Sequence, residues 1–274
     1  MNGTFLSHAA DELKSALAFL TAVPVGAVPP SAETVKMFPA VGMLLGVSEG
    51  LFYKLAKKIF PGYMAAAATV FFDLIITSGI HLDGLADSAD GLLAHVPEKS
   101  RFLIMKEPTV GAYGVTAIVL ALTIKTLAMA EGEAAPADFV LMMTLSREIA
   151  KTIIQKSTYA KEEGLAAQFK DLEAPVNKTS AVFGKGNNFR LSDFGITAIC
   201  VSVILFYVTK SGKKYAGKSA FSLLFSLLPV FFIHKNAKNK LGGYTGDTIG
   251  ASIEVYELSY LLLRSVNESR KYRG

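Results

Sequence analysis

Three aspartates have the spacing that most clearly predicts chemistry in this sequence. Asp83, Asp87 and Asp90 lie four and three residues apart, directly after an apolar run, so a helix would place their carboxylates on one face. We call them the aspartate cluster. Like charges on one face repel each other, and a divalent cation bound among them would offset that repulsion. Mg²⁺ is usually held by such oxygen ligands together with water and substrate phosphates, so the spacing predicts a Mg²⁺ site.

A purely structural explanation of the aspartate cluster stays open at this point. Asp83 would then cap a helix, Asp87 would face water, and Asp90 and Gly91 would form a turn. The combination of all three with His81, at the end of a predicted membrane span, favours a functional site, because acidic groups beside a membrane are usually functional.

A glycine-rich segment near the end of the chain supplies a second set of candidate ligands. It reads LGGYTGDTIGASIEVYELSYLLL from 241 to 263. Gly243 and Gly246 would let the backbone approach a substrate closely, and Asp247, at the start of a helix, is either a metal ligand or the helix cap. Counting spans from the acidic turn at 131–136 places this segment on the same side as the aspartate cluster, so we expect the two to converge.

Two basic residues lie deep in another apolar run. Arg147 and Lys151 share one helical face within the predicted span 137–155, and cations at that depth need anionic partners. The partner is either the aspartate cluster or a phosphate. Because bound Mg²⁺ would already compensate the aspartates, we expect Arg147 and Lys151 to balance the charge of a phosphorylated substrate.

The composition places these residues in a membrane protein. The chain has 274 residues, is 51% hydrophobic and has a mean hydropathy of +0.38, with its apolar residues gathered in blocks of near-membrane length. An all-α, polytopic integral membrane helical bundle is therefore predicted. The net charge of +5 suits anionic headgroups or a phosphorylated substrate, whereas the absence of a compact basic stripe argues against nucleic acid. The single cysteine, Cys200, excludes an internal disulfide, and we expect no signal peptide to be removed.

The apolar blocks also predict the elements that position the candidate residues. Residues 1–30 should form an amphipathic helix and a Pro-rich turn, and residues 156–192 a cytoplasmic loop, within a single membrane-embedded domain covering 1–274. The acidic turn at 131–136 should face away from the cytoplasm, although the basic turn at 210–218 counts against the simplest topology. About six to seven spans are expected, from 37–52, 61–80, 111–130, 137–155, 194–208, 220–233 and 241–263.

Seven motifs distributed along most of the chain resemble one enzyme family. The specific ones are HLDGLADSADG at 81–91, MK followed by GAYGV at 105–115, and GGYTGDTIGA at 242–251, and the others are FLTAVPV at 19–25, FPAVG at 38–42, SR at 146–147 and EEGLA at 162–166. In this order they resemble the cobalamin-5′-phosphate synthase family, the adenosylcobinamide-GDP ribazoletransferases. The sequence departs from the family pattern at Ala22, where arginine is expected, and at Glu107, where aspartate is expected.

The resemblance implies a late, Mg²⁺-dependent step of cobalamin biosynthesis in the cell membrane. The 5′-hydroxyl of α-ribazole, or the 5′-phosphate group of α-ribazole 5′-phosphate, would attack the pyrophosphate of adenosylcobinamide-GDP and release GMP at a site on the cytoplasmic side. Membrane lipids would surround the bundle, and the lower-ligand base and a homo-oligomeric state stay open. The implied roles are catalysis by His81, Asp83 and Asp87, with His81 a candidate base; metal binding by Asp83, Asp87, Asp90 and Asp247; and substrate binding by Lys106, Arg147, Lys151, Gly243 and Gly246.

Two other classes of protein remain alternatives. The segment DSADGLLAH at 87–95 resembles the start of the DxxDGxxAR pattern of CDP-alcohol phosphotransferases, but His95 stands in place of the arginine and no GxxxDxxxD follows. A cation transporter would also contain intramembrane acids. Against it, the acids crowd at one face and the sequence predicts no broken-helix pair.

Overall fold

The computed structural model of the protein describes residues 2–26, 29–31, 33–132, 134–160, 202 and 213–266, and within them the fold is all-helical, as predicted. The helices are α1 (Asn2–Leu20), a short 3₁₀ helix (Thr34–Met37), α2 (Phe38–Ile59), α3 (Gly62–Thr77), α4 (Ile80–Leu93), α5 (Glu98–Ile104), α6 (Ala112–Glu131), α7 (Pro136–Lys156), α8 (Lys213–Phe225), α9 (Leu227–Leu241) and α10 (Gly246–Ser265).

Three helical segments of the described chain are long and apolar enough to cross a membrane. They are 34–59, 112–131 and 217–241, and α3 with α4 would make a fourth if that bent pair is counted as one span. Helices α7 and α10 are of similar length, at 21 and 20 residues, but several charged residues interrupt their apolar character. The predicted span at 194–208 falls outside the described residues apart from Ser202, as does most of the predicted loop at 156–192.

Helices α2 and α7 pack backbone to backbone in opposite directions. A Cβ on Gly46 would lie 2.5 Å from Val140 Cα, and one on Gly50 would lie 2.7 Å from the Pro136 carbonyl oxygen. The four-residue glycine spacing in α2 therefore serves close helix packing.

The junction between α3 and α4 contradicts one sequence expectation. The two helices form a broken pair, bent by 90°, although no broken-helix pair was predicted. Ser78 and Gly79 both adopt left-handed backbone conformations, with φ angles of 51° and 65°, which ends the hydrogen-bond ladder of α3. Gly79 adopts this conformation without the steric cost that a side chain brings. As a result α4 leaves the direction of α3 and crosses the end of the bundle.

Helix α1 corresponds to the amphipathic helix predicted within residues 1–30 and packs against the bundle. Its apolar face buries Ala16 and Leu20, and Glu12 accepts hydrogen bonds from the hydroxyl groups of Ser31 (2.8 Å) and Thr34 (2.6 Å). The segment after the helix is thereby fixed next to the start of α2.

Helix α10 occupies the centre of the described bundle and contacts α4, α6, α7, α8 and α9. It runs parallel to α6 and antiparallel to α7. The start of α10, the start of α6 and the end of α7 consequently lie at one end of the bundle, together with α4. We call this the site end.

Candidate active site

The crossing of α4 and α10 brings the helix of the aspartate cluster into contact with the glycine-rich segment. A Cβ on Gly84 would lie 2.7 Å from the backbone oxygen of Asp247, and one on Gly250 would lie 3.3 Å from His81 Cα. At Gly84 a side chain would force the two helices apart, and at Gly250 it would make a tight contact. The convergence of the aspartate cluster with the glycine-rich segment, which the sequence predicted, is therefore present in the structure.

The first turn of α10 is capped by Thr245 and not by Asp247. The Thr248 N–H donates to the Thr245 hydroxyl oxygen over 3.2 Å, and the Thr245 N–H donates to the Thr248 hydroxyl oxygen over 2.8 Å. Asp247 accepts a hydrogen bond from the Thr245 hydroxyl at 3.3 Å and is partly exposed. The capping explanation of Asp247 is therefore wrong, and the backbone of Asp247 lies at the α4–α10 crossing.

The structure also rules out the capping and turn explanations of the aspartate cluster. Gly79, without a side-chain cap, precedes α4, and the helix continues through Asp90 and Gly91 to Leu93. Asp83 is exposed, Asp87 is partly buried and Asp90 is buried. One helical face thus carries three carboxylates that differ in their access to solvent.

The Asp90 carboxylate binds the backbone at the start of α6. Its two carboxylate oxygens accept hydrogen bonds from the backbone N–H groups of Gly111 (2.7 Å) and Gly114 (2.9 Å). A Cβ on Gly111 would lie 2.6 Å from Asp90 Oδ1, which explains a glycine there. Asp90 therefore holds the start of α6 against α4, and each of its oxygens retains one lone pair for a further contact.

The glycine-rich segment is tied to the end of α7. The Tyr244 N–H donates to the Thr158 carbonyl oxygen over 2.9 Å, and the Ala160 N–H donates to the Tyr244 carbonyl oxygen over 2.8 Å. A Cβ on Gly243 would collide with the 158–160 backbone, whereas the space around Gly246 is open to 4 Å. Of the two glycines predicted to line the substrate site, Gly246 has room beside it and Gly243 packs against protein.

Tyr159 lies beside this connection, outside the helices. Burial, together with the negative charge of Asp247, raises the pKa of Tyr159 to about 12. Its hydroxyl group therefore stays protonated at neutral pH.

The predicted phosphate-binding cations lie in different environments. Lys106 is exposed at the site end. Lys151 is 5% exposed and its Nζ lies 2.9 Å from the Glu148 carboxylate. Arg147 is fully buried and pairs with Glu257 of α10, not with the aspartate cluster. The structure thus brings one of the three cations to the surface of the site and gives the other two protein partners.

His81 does not share the face of the aspartate cluster. Its spacing places it half a helical turn away from Asp90, and its ring is 6% exposed against α10. Its Nε2 atom is buried without a hydrogen-bond partner. The role of His81 as a base stays a prediction.

A group of charged residues in the interior of the bundle is brought together by the fold and not by sequence spacing. Lys125 lies among Asp73, Glu254 and Glu257, and Glu49 is 1% exposed nearby. Glu49, Asp73 and Lys125 are each an isolated charge in an otherwise apolar segment, and such charges in membrane helices usually face one another. That signal was present, but the partners come from different helices.

Comparison with known proteins decides the family. The model of the cobalamin-5-phosphate synthase family matches residues 12–265. The chain belongs to this family. Relatives from Escherichia coli (strain K12), Escherichia coli O157:H7 and Shigella dysenteriae serotype 1 are each 31% identical to it over 229 residues, covering 82% of this chain and 84% of the relative, and each is named adenosylcobinamide-GDP ribazoletransferase. No solved structure matches.

Membership of the cobalamin-5-phosphate synthase family confirms the resemblance found in the motifs. It also confirms the predicted class, a transferase of cobalamin biosynthesis. Of the two alternatives, neither the CDP-alcohol phosphotransferase nor the cation transporter is supported by these relatives. The three specific motifs form the α4–α10 crossing and the Asp90 contact with α6, so the family pattern coincides with the site end.

Proposed function

We propose that this chain joins adenosylcobinamide-GDP to α-ribazole, or to its 5′-phosphate, with release of GMP. The observation that carries the proposal is the close approach of Gly84 to Asp247, which sets Asp83 and Asp87 beside the glycine-rich segment. The site end therefore offers acidic groups, an exposed lysine and open space at Gly246 within one region, and a pyrophosphate substrate needs these kinds of contact.

Mg²⁺ fits the residues of this site. Asp83 and Asp87 would hold the ion, Asp247 would contribute from α10, and Asp90 shares the helical face of Asp83 and Asp87. When bound, the ion would reduce the negative charge on the pyrophosphate oxygens and make the phosphorus easier to attack. The graded exposure of these carboxylates supports this assignment, because Mg²⁺ sites keep ligand positions for water and phosphate.

The chemistry required of the chain is positioning and one proton transfer. The ribazole 5′-oxygen attacks the phosphorus on the cobinamide side, the bond to the GMP oxygen breaks, and the hydroxyl proton must leave. We assign its acceptance to Asp83 or Asp87, which face the substrate side of α4, in preference to His81, which is buried against α10. Both aspartates thus keep the catalytic role expected from the sequence.

Charge balance around the phosphates would begin with Lys106, which is exposed at the site end. Lys151 would reach a phosphate only by leaving Glu148, and Arg147 only by opening its pair with Glu257. We therefore propose that Lys106 contacts the substrate directly. Arg147 and Lys151 would contribute positive potential from beneath the site.

We further propose six to seven spans in the cell membrane, with the site end facing the cytoplasm. Lysines at the site end support this orientation, whereas those at the far end of α2 count against it, so it needs a direct test. Cysteines that replace the exposed residues His95 and Asn239, on a Cys200→Ala background, should be labelled from the cytoplasm, and a cysteine at the exposed Glu131 from the opposite side. Labelling of His95→Cys and Glu131→Cys from one side would refute the orientation. The basic residues concerned are Lys99, Lys106, Lys156, Lys235, Lys238 and Lys240 at the site end and Lys54, Lys57 and Lys58 at the other.

The activity is tested by measuring GMP release from adenosylcobinamide-GDP and α-ribazole by the purified protein in detergent. Asp83→Asn should lower the Mg²⁺-dependent rate about 100-fold, the cost of removing one preorganised electrostatic group. Glu98→Gln is the matched control, because Glu98 is an exposed acid at the same end of the bundle. Equal rates in both variants would contradict the assignment.

A further inference from the structure

The interior of the bundle contains a second group of acids, distinct from the aspartate cluster. Lys125 Nζ lies 2.7 Å from Glu254 Oε1, 3.4 Å from Glu257 Oε2 and 3.6 Å from Asp73 Oδ2. The three carboxylates each have an oxygen within 4.8 Å of the others. Arg147 pairs with Glu257 from the other side. This arrangement accommodates positive charge at its centre, where the Lys125 ammonium group lies.

Glu49 of α2 adds a fourth acid to this group. It is 1% exposed, and Asp73 is the charged group that interacts with it most strongly. Glu49 Oε1 and Asp73 Oδ1 are both buried without a hydrogen-bond partner. Because buried carboxylate oxygens are normally satisfied, each of these two atoms has the capacity for a further contact.

The charges of the described residues in this group do not balance. With all four acids ionised, their four negative charges exceed the two positive charges of Lys125 and Arg147 by two, and Asp73 shares Lys125 with Glu254 and Glu257. Uncompensated charge in a low-dielectric interior is strongly unfavourable. A ligand with two positive charges would restore neutrality.

We propose that Glu49 and Asp73 bind a divalent cation in the bundle interior. Carboxylate oxygens with room for retained water suit Mg²⁺ or a similar hard ion. This site links α2 to α3 and goes beyond the proposed function, because it lies apart from the α4–α10 crossing and stabilises the fold whether or not substrate is bound.

The test counts bound Mn²⁺ by electron paramagnetic resonance in the purified full-length protein. The background is the Asp83→Asn/Asp87→Asn double variant, which removes ligands of the proposed active-site ion. We expect this variant to retain one Mn²⁺ per chain and to lose it when Glu49→Gln is added. Glu131→Gln, a change at an exposed acid, should leave the bound Mn²⁺ in place.

A second measurement keeps the proposal falsifiable if Glu49→Gln folds poorly. In the same background, MgCl₂ should raise the midpoint of thermal unfolding above that in choline chloride of equal ionic strength, and Asp73→Asn should remove the difference. The proposal is overturned if the background variant binds no Mn²⁺ and its midpoint responds to pH but not to Mg²⁺, since protons would then balance the two acids. Failure of GMP release in the wild-type protein would refute the proposed function and leave the Mn²⁺ count unaffected.

Discussion

Replacing Asp90 by asparagine separates a positioning role from a role in metal binding alone. Asp90 is 7% exposed and accepts two backbone hydrogen bonds from the first turn of α6. Hydrogen bonds to a charged group contribute about 1.5–3 kcal/mol each, so the pair contributes about 3–6 kcal/mol. Asparagine keeps one neutral acceptor, worth about 1 kcal/mol, and turns its amide donor toward the second N–H. We expect Asp90→Asn to lower the free energy of unfolding by about 2–5 kcal/mol.

The assay is unfolding in mixed detergent micelles, followed by circular dichroism with EDTA present so that no divalent metal contributes. Asp83→Asn is the control, since Asp83 lies on the same helical face but is exposed, and its stability should match that of the wild type. Equal stability of the two variants in EDTA, with Mg²⁺-dependent turnover lost in both, would refute the positioning role and make Asp90 a metal ligand only.

Three further predictions concern the surroundings of the site. Gly84→Ala should lower turnover about 100-fold, because it displaces the α4–α10 crossing. The control is Gly217→Ala, which adds a Cβ with no atoms within 4 Å and should leave turnover unchanged. Equal effects of the two changes would contradict the packing argument. Arg147→Ala should destabilise the protein by about 3–5 kcal/mol with or without substrate, because it leaves Glu257 buried without its main partner. A loss of stability confined to the substrate-bound protein would show instead that Arg147 contacts the substrate. The folded-state pKa of Tyr159 is raised to about 12, so its contribution to stability is complete below the unfolded pKa near 10 and is lost as pH rises toward 12. Alkaline unfolding curves of Tyr159→Phe should lack this loss of stability. Identical curves for the variant and the wild type would refute the prediction.

The face of the aspartate cluster could be predicted because helical periodicity alone decides it. Spacings of four and three residues place Asp83, Asp87 and Asp90 together in any helix. The convergence with Asp247 required only the count of spans and the motif order. Both predictions depended on local rules or on topology, and both agree with the geometry of the site end.

Partners that come from distant parts of the chain could not be predicted. The pairing of Arg147 with Glu257 joins residues 110 positions apart, and no spacing rule selects Glu257 over the aspartates. Likewise, the hydrogen bonds that Asp90 accepts from Gly111 and Gly114 depend on the path of the chain through α5, which connects α4 to α6. The bend at Ser78 was missed because serine seldom adopts a left-handed conformation.

The central claim is that α4 and α10 form one active site, and a double-variant cycle tests it most directly. GMP release from adenosylcobinamide-GDP and α-ribazole would be measured for Asp83→Asn, Asp247→Asn and the variant carrying both changes. Because both carboxylates would serve the same bound ion, we predict that each single change removes most of the rate and that the double change costs little more than either one. Losses that multiply independently, or a wild-type rate in Asp247→Asn, would contradict the claim.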